Sequence, residues 1–181
     1  MEYPPKFTLR TAAMADLPLL QALIERSGIE LSVGFYTDAQ AASVTREVFG
    51  VDLQLLADGS YYAIEADGVI VACGGWGRRA SRFGAGQGRT EPDRLLDPAC
   101  EPARIRAFFV APGMARRGLG SMLLAHCAAQ AKCAGFGTIE LTSTLPGEPL
   151  YLARGFQVEE RFELALGDGV RVPVTRMRRA L

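Results

Sequence analysis

The stretch Val110–Leu124, VAPGMARRGLGSMLL, decides how the rest of the chain is read. An apolar run, Arg104 to Val110 (RIRAFFV), has the composition of a central strand buried on both faces. It stops at Pro112, which lacks the N–H needed to continue a ladder. Two arginines and two glycines follow, and the chain re-emerges as a helical pattern from about Leu119 to Ala134, closed by Gly135. A loop that only joins a strand to a helix does not need that composition. The first N–H groups of a helix have no intrahelical partner and carry partial positive charge. Consecutive N–H groups in a tight loop converge on an anion as a nest. Gly118 and Gly120 remove side chains, letting phosphate oxygens reach the backbone and permitting positive φ. Arg116 and Arg117 add full charges and Ser121 a hydroxyl. The stretch has the chemistry of a pyrophosphate cradle. It is not a Walker loop, because no Lys-Ser or Lys-Thr follows the second glycine. A capped, arginine-bearing connection is the plainer alternative.

Composition bounds the rest. The 181 residues fit one domain, 1–181, with an elaborated loop at about 77–103. Hydrophobic residues make up 49% and charged residues 22%, ordinary for a globular protein with a sizeable core. Lysine plus arginine equals aspartate plus glutamate at 20 each, which speaks against nucleic acid as a partner. No apolar run reaches the length of a membrane span, and MEYPPKF has no signal-peptide pattern. Cys73, Cys100, Cys127 and Cys133 form no C-x-x-C pair and read as reduced thiols of a cytoplasmic protein. The single histidine, His126, removes any multi-histidine zinc site, and no metal is expected. It shares a helical face with Leu119 and Leu123 and reads as a packing residue.

Outward from the cradle the elements alternate. Phe7 to Thr11 reads as a strand, and a helix capped by Asp16 runs to a stop at Gly28. A second helical pattern covers Asp38 to Phe49. Tyr61 to Ala66 and Val69 to Trp76 are strands joined by Asp67-Gly68, a two-residue hairpin signal. Gly74-Gly75 marks a bulge or a close backbone approach. The GAGQG of Gly84 to Gly88 fails as a dinucleotide fingerprint, because position 89 is arginine and no helix follows. Beyond the cradle come a strand from Thr138 to Ser143, a short helix over Glu148 to Arg154, and a closing hairpin of Glu159–Leu166 and Val170–Arg178. The order is that of an α/β chain with a mixed sheet.

Two segments carry a family resemblance. Val110-Ala-Pro112 followed by Ala115-Arg-Arg-Gly118-Leu-Gly120 resembles the strand, V-x-P, [QR]-x-x-G-x-[GA], helix motif of GNAT-type N-acetyltransferases. Ala115 departs from the motif, removing one side-chain contact but not the backbone cradle. Tyr151-Leu-Ala-Arg-Gly155-Phe156 is similar to the family's Y-x-x-x-G-F. The resemblance covers nearly the whole chain. It implies a mixed, mostly antiparallel central sheet with a splayed parallel strand pair and flanking helices. It also implies acetyl-CoA as donor substrate, its pantetheine arm between the splayed strands near Phe109 and Val110. The pyrophosphate then falls on Ala115, Arg116, Arg117, Gly118, Leu119, Gly120 and Ser121, and Thr144 contacts the cofactor.

The implied reaction is direct acyl transfer to a primary amine of a small molecule or protein. A backbone N–H near Phe109 or Val110 stabilises the oxyanion. Tyr151 is the expected acid, since a phenol of pKa about 10 can share a proton with a thiol near 8.5. Glu140 is the first choice of general base, on the strand beside the splay; Asp38, Asp52 or a water chain are the other options, and a surface position is the plain reading of Glu140. The acceptor wall draws on Phe35, Tyr36 and Trp76, with Arg78 and Arg79 nearby, unless Trp76 only plugs the core. A non-catalytic acyl-CoA sensor, and a toxin acetylating charged transfer RNA, are the competing readings. Sheet edges and the long loop leave room for a homodimer.

Overall fold

The computed structural model describes residues 5–81 and 93–181. The GAGQG segment and Glu91 lie outside the described residues. Seven strands form one sheet: β1 (Phe7–Thr11), β2 (Tyr61–Ala66), β3 (Val69–Gly77), β4 (Ala103–Val110), β5 (Thr138–Thr144), β6 (Gln157–Ala165) and β7 (Arg171–Ala180). Their order across the sheet is β1-β2-β3-β4-β5-β7-β6, and only β4 and β5 run parallel. Helices α1 (Leu17–Glu30), α2 (Asp38–Glu47), α3 (Leu53–Ala57), α4 (Leu119–Cys133) and α5 (Glu148–Ala153) flank it. Among the described residues no helix is long and apolar enough to cross a membrane.

Local chemistry accounts for most boundaries. Asp67 and Gly68 both adopt positive φ, 50° and 83°, as the two-residue turn between β2 and β3 requires. Thr37 and Gln40 form a capping box at the start of α2: the Gln40 N–H donates to Thr37 Oγ1 at 3.2 Å, and the Thr37 N–H to Gln40 Oε1 at 3.1 Å. Helix α3 has no counterpart in the sequence prediction, because five residues are too few to show a period. Its cap is Asp52, whose Oδ1 accepts from the Leu55 N–H at 3.0 Å. Gly28 does not stop α1, which runs on to Glu30. A Cβ at Gly28 would lie 2.7 Å from both Phe49 Cδ2 and Thr45 Oγ1, so the glycine brings α1 close to the end of α2.

Alternation along β2 sorts its side chains to two cores. Tyr62 and Ile64 join Leu119, Leu123, Leu124, Ile139 and Met177 beneath α4. Tyr61 and Ala63 join Leu20, Leu23, Leu55 and Cys73 beneath α1 and α3. A third cluster, Tyr36, Val44, Val172 and Val174, fastens α2 to β7.

Two irregularities shape the middle of the sheet. Strands β4 and β5 pair only at Ala103↔Ile139 and Arg104↔Glu140 and then diverge. The β3–β4 register slips between Cys73 and Gly75, and Ala107 adopts φ 55° opposite the slip, a bulge in β4. A Cβ on Gly74 would sit 2.2 Å from the Phe108 ring, and one on Gly75 2.4 Å from the Ser60 carbonyl oxygen. The paired glycines thus serve both a bulge and a close approach.

Candidate active site

Past Arg104 the facing edges of β4 and β5 have no ladder partner in each other, and backbone polar groups so placed require another partner. The fork opens a cleft of about 770 Å³. Ile105–Val110 of β4 and Leu141–Thr144 of β5 form its sides.

One end of the cleft is the arginine–glycine turn. Arg116 and Gly118 both take left-handed conformations, φ 65° and 84°, and Gly118 caps α4. No side chain caps the helix, and its first return bond runs from the Met122 N–H to the Gly118 oxygen at 3.0 Å. The N–H groups of Leu119, Gly120 and Ser121 therefore face the cleft end without an intrahelical acceptor. A Cβ on Gly118 would meet nothing within 4 Å, so its glycine answers a conformational need. Gly120 answers a packing need: its Cβ would lie 2.7 Å from Leu150 Cδ2. It clears space for α5 rather than for an anion. Ala115, Arg116, Gly118, Leu119, Gly120 and Ser121 line the cleft, as do Phe109, Val110 and Thr144. Arg117 is exposed and does not. Arg154, which the sequence did not single out, does: its Nε donates to Ser121 Oγ at 3.0 Å. It lies within the Tyr151–Phe156 segment, so the motif contained it, but only the α4–α5 contact brings it to the turn.

Tyr151 stands in the cleft wall, 7% exposed. Its ring meets Phe156 edge-on at 5.5 Å and lies 6.5 Å from Phe108. Its hydroxyl makes no protein hydrogen bond among the described residues, and burial pushes its pKa well above that of an ordinary phenol. Behind the β4 bulge, the Tyr61 hydroxyl donates to the Ala107 carbonyl oxygen at 3.1 Å and lies 3.3 Å from Cys73 Sγ. Arg106, next to the bulge, pairs with Asp52 at 3.3 Å with both side chains buried.

Glu140 is not in the cleft. Its carboxylate pairs with Arg104 at the last rung that joins β4 to β5, so it closes the base of the fork. Asp52 is committed to the α3 cap and Arg106, and Asp38 is exposed; neither lines the cleft. Among the described lining residues there is no carboxylate and no imidazole. His126 packs edge-on against Tyr62 at 4.3 Å.

The far end of the cleft runs between α1, α2 and β7, lined by Leu31, Phe35, Val44, Phe49, Leu164 and Val174 among others. Phe35 lies in the wall as expected. Tyr36 does not: its hydroxyl is a buried tie, donating to the Pro173 oxygen at 2.7 Å and accepting from the Leu145 N–H at 3.0 Å. Trp76 is a core residue against Phe136 at 6.2 Å, with the Arg78 guanidinium 5.8 Å from its ring, and Arg79 pairs with Asp58 at 3.1 Å. The expected wall of Trp76 and two arginines is therefore absent from the cleft.

The family model of the acetyltransferase (GNAT) family matches residues 29–156, which include the turn, the fork and Tyr151. The chain belongs to the GNAT acetyltransferase family. Among solved structures similar to this GNAT chain is a GCN5-related N-acetyltransferase from Rhodopseudomonas palustris, with a TM-score of 0.71 and 18% identity over 100% of this chain and 98% of that one. The PaiA N-acetyltransferase of Thermoplasma acidophilum, solved in complex with coenzyme A, gives 0.66 and 14% over 97% and 99%. The yncA protein of Salmonella typhimurium, solved with its cofactor acetyl-CoA, gives 0.64 and 16% over 97% and 94%. At such identities the likeness is one of fold. No curated protein matches the chain.

Proposed function

We propose that this GNAT chain transfers an acetyl group from acetyl-CoA to a primary amine, by direct attack of the amine nitrogen on the thioester carbonyl. One observation carries the reading. An uncapped helix start beneath two left-handed residues opens into a cleft whose walls are unpaired strand edges, and that cleft leads to a buried tyrosine. Each part suits one part of the donor. The N–H groups of Leu119, Gly120 and Ser121, with Arg116 and Arg154, suit a diphosphate. The edges of β4 near Phe109 and Val110, and of β5 to Thr144, suit the amides of the pantetheine arm.

In the reaction a C–N bond forms as the C–S bond breaks. A backbone N–H of the β4 bulge stabilises the oxyanion, held in place by the Tyr61 bond to the Ala107 carbonyl. Tyr151 gives its proton to the departing thiolate. Burial raises the phenol, so Tyr151 holds its proton until negative charge develops on the departing sulfur. No described lining residue has the chemistry of a base, so the amine enters neutral, its excess proton leaves to water, and water returns a proton to the Tyr151 phenolate. The same lack favours a second reading, an acyl-CoA sensor without turnover. Calorimetry with coenzyme A, followed by thiol release from acetyl-CoA over a panel of amines, separates them. Uptake with turnover supports transfer, uptake with none across the panel supports the sensor, and no uptake overturns both.

A further inference from the structure

The far end of the cleft carries a statement about the acceptor, which rests on the transfer reading above. Its walls are mainly aliphatic and aromatic, Leu31, Phe35, Val44, Val48, Phe49 and Leu164, with Ser27 and Ser32 as uncharged polar neighbours. Phe49 stands edge-on to Phe109 at 5.0 Å, carrying the aromatic wall up to the β4 bulge. The apolar surface continues outward at the mouth, where Phe35 is 48% exposed beside the exposed Val33. The Ser32 hydroxyl, also in the wall, donates to the Gly28 carbonyl oxygen at 2.5 Å.

Charge is distributed very differently. The described lining residues include three arginines and no carboxylate. Arg116 and Arg154 stand at the arginine–glycine turn, the opposite end. Arg106 faces Asp52 across a buried pair. A second ammonium on the acceptor would thus enter an apolar chamber with no countercharge, and a carboxylate would find its nearest guanidinium already matched. Either must shed its water without repayment.

We infer that the acceptor is a primary amine borne on an uncharged apolar body, an arylalkyl or branched alkyl amine, and neither a polyamine nor a free amino acid. Two matched pairs of acceptors test this, each differing in one charge: 3-methylbutylamine against leucine, and pentylamine against 1,5-diaminopentane. At a pH where the compared amines are equally deprotonated, or after correction for that fraction, the uncharged member of each pair should have the higher kcat/KM by at least tenfold. Along straight-chain amines each added methylene should raise kcat/KM about fourfold until the chamber is filled. Equal or better use of the diamine or of leucine overturns the inference. If no amine is acetylated, that counts against the transfer reading, and calorimetric titration of the same pairs into the coenzyme A-loaded protein still decides this one. Tighter binding of the uncharged members upholds it, and parity overturns it. Phe35→Glu puts a carboxylate at a half-exposed mouth position that tolerates it. It should shift the pentylamine-to-diamine ratio by about tenfold toward the diamine, with coenzyme A affinity unchanged, whereas an unmoved ratio overturns the inference.

Discussion

Strand β5 has two unlike edges. Along one it pairs with β7 at seven successive positions, from Thr138↔Ala180 to Thr144↔Val174. Along the other it meets β4 at two positions and then parts from it. The residues are the same on both sides, so composition does not make the difference. The partner strand differs: β7 keeps register along the whole of β5, whereas β4 holds only the rungs at Ala103 and Arg104 and bulges at Ala107 beyond them. The laddered edge satisfies its own hydrogen bonds and holds the fold. The open edge leaves that need unmet by the neighbouring strand. On the proposed reading, function here is a local omission of structure that begins just past the Arg104–Glu140 rung.

The largest expected effect concerns the rung where pairing ends. Glu140→Gln removes the carboxylate that faces Arg104 across the rung, where both side chains are only 11–12% exposed. Breaking one partner of such a pair should cost about 3 kcal/mol in chemical denaturation. Turnover by the folded fraction should stay within a few-fold of the parent. A loss of a hundredfold or more at unchanged stability would instead restore Glu140 as a base. Next comes Tyr151→Phe in the open cleft, which should lower kcat about a hundredfold while leaving coenzyme A affinity and the melting temperature in place. Because burial raises the Tyr151 pKa, its proton is retained on the alkaline side. The parent rate should therefore rise as the acceptor amine deprotonates and show no fall up to about pH 10 from this group.

A smaller change is expected at the turn. Gly118→Ala meets no steric obstacle but must hold φ 84°, a strain of about 1–2 kcal/mol. Relaxing that strain opens the nest, so titration calorimetry should find coenzyme A bound about tenfold more weakly, with the β5–β7 side undisturbed. The smallest effect belongs to the laddered side. Glu148, under β7, accepts from Arg161 at 2.7 Å and from Thr175 Oγ1 at 2.6 Å, which holds its carboxyl below the usual glutamate range. Its stabilisation is present above the unfolded pKa and is lost as pH falls through the lower folded value. Glu148→Gln should then cost about 1 kcal/mol at pH 7, and that cost should shrink as pH falls below the unfolded carboxyl value and vanish only below the lowered folded one. A cost that does not shrink as the pH falls would show packing rather than charge at work.

Much of this was written locally in the chain. The Asp67-Gly68 turn, the Gly74-Gly75 irregularity and the strand–turn–helix of Val110–Leu124 each depend on neighbours a few residues apart, and each is where the sequence predicts it. What depends on distant partners was not. Alternation tells that Glu140 and Ile139 point to opposite faces, but not that parallel register sets Glu140 beside Arg104. The arginine pair at the turn looks equivalent in sequence, yet the left-handed bend at Arg116 leaves Arg117 outside the cleft. Trp76 has the composition of a binding residue, and its indole went to the core with Phe136. The place of Arg154 was hidden for the same reason: it follows from how two helices pack.

That packing has an outcome of its own. With a glycine at 120 and the Leu150 side chain pressed against it, the start of one helix and the start of another are clamped together, and Tyr151 is the very next residue. On the proposed reading, the anion seat and the phenol then form a fixed gauge, with two stops a set span apart. A donor whose arm matches that span would present its carbonyl in register with both stops, and one clipped to acetyl-pantetheine would keep the reactive group yet lose the far stop that tells it where to halt.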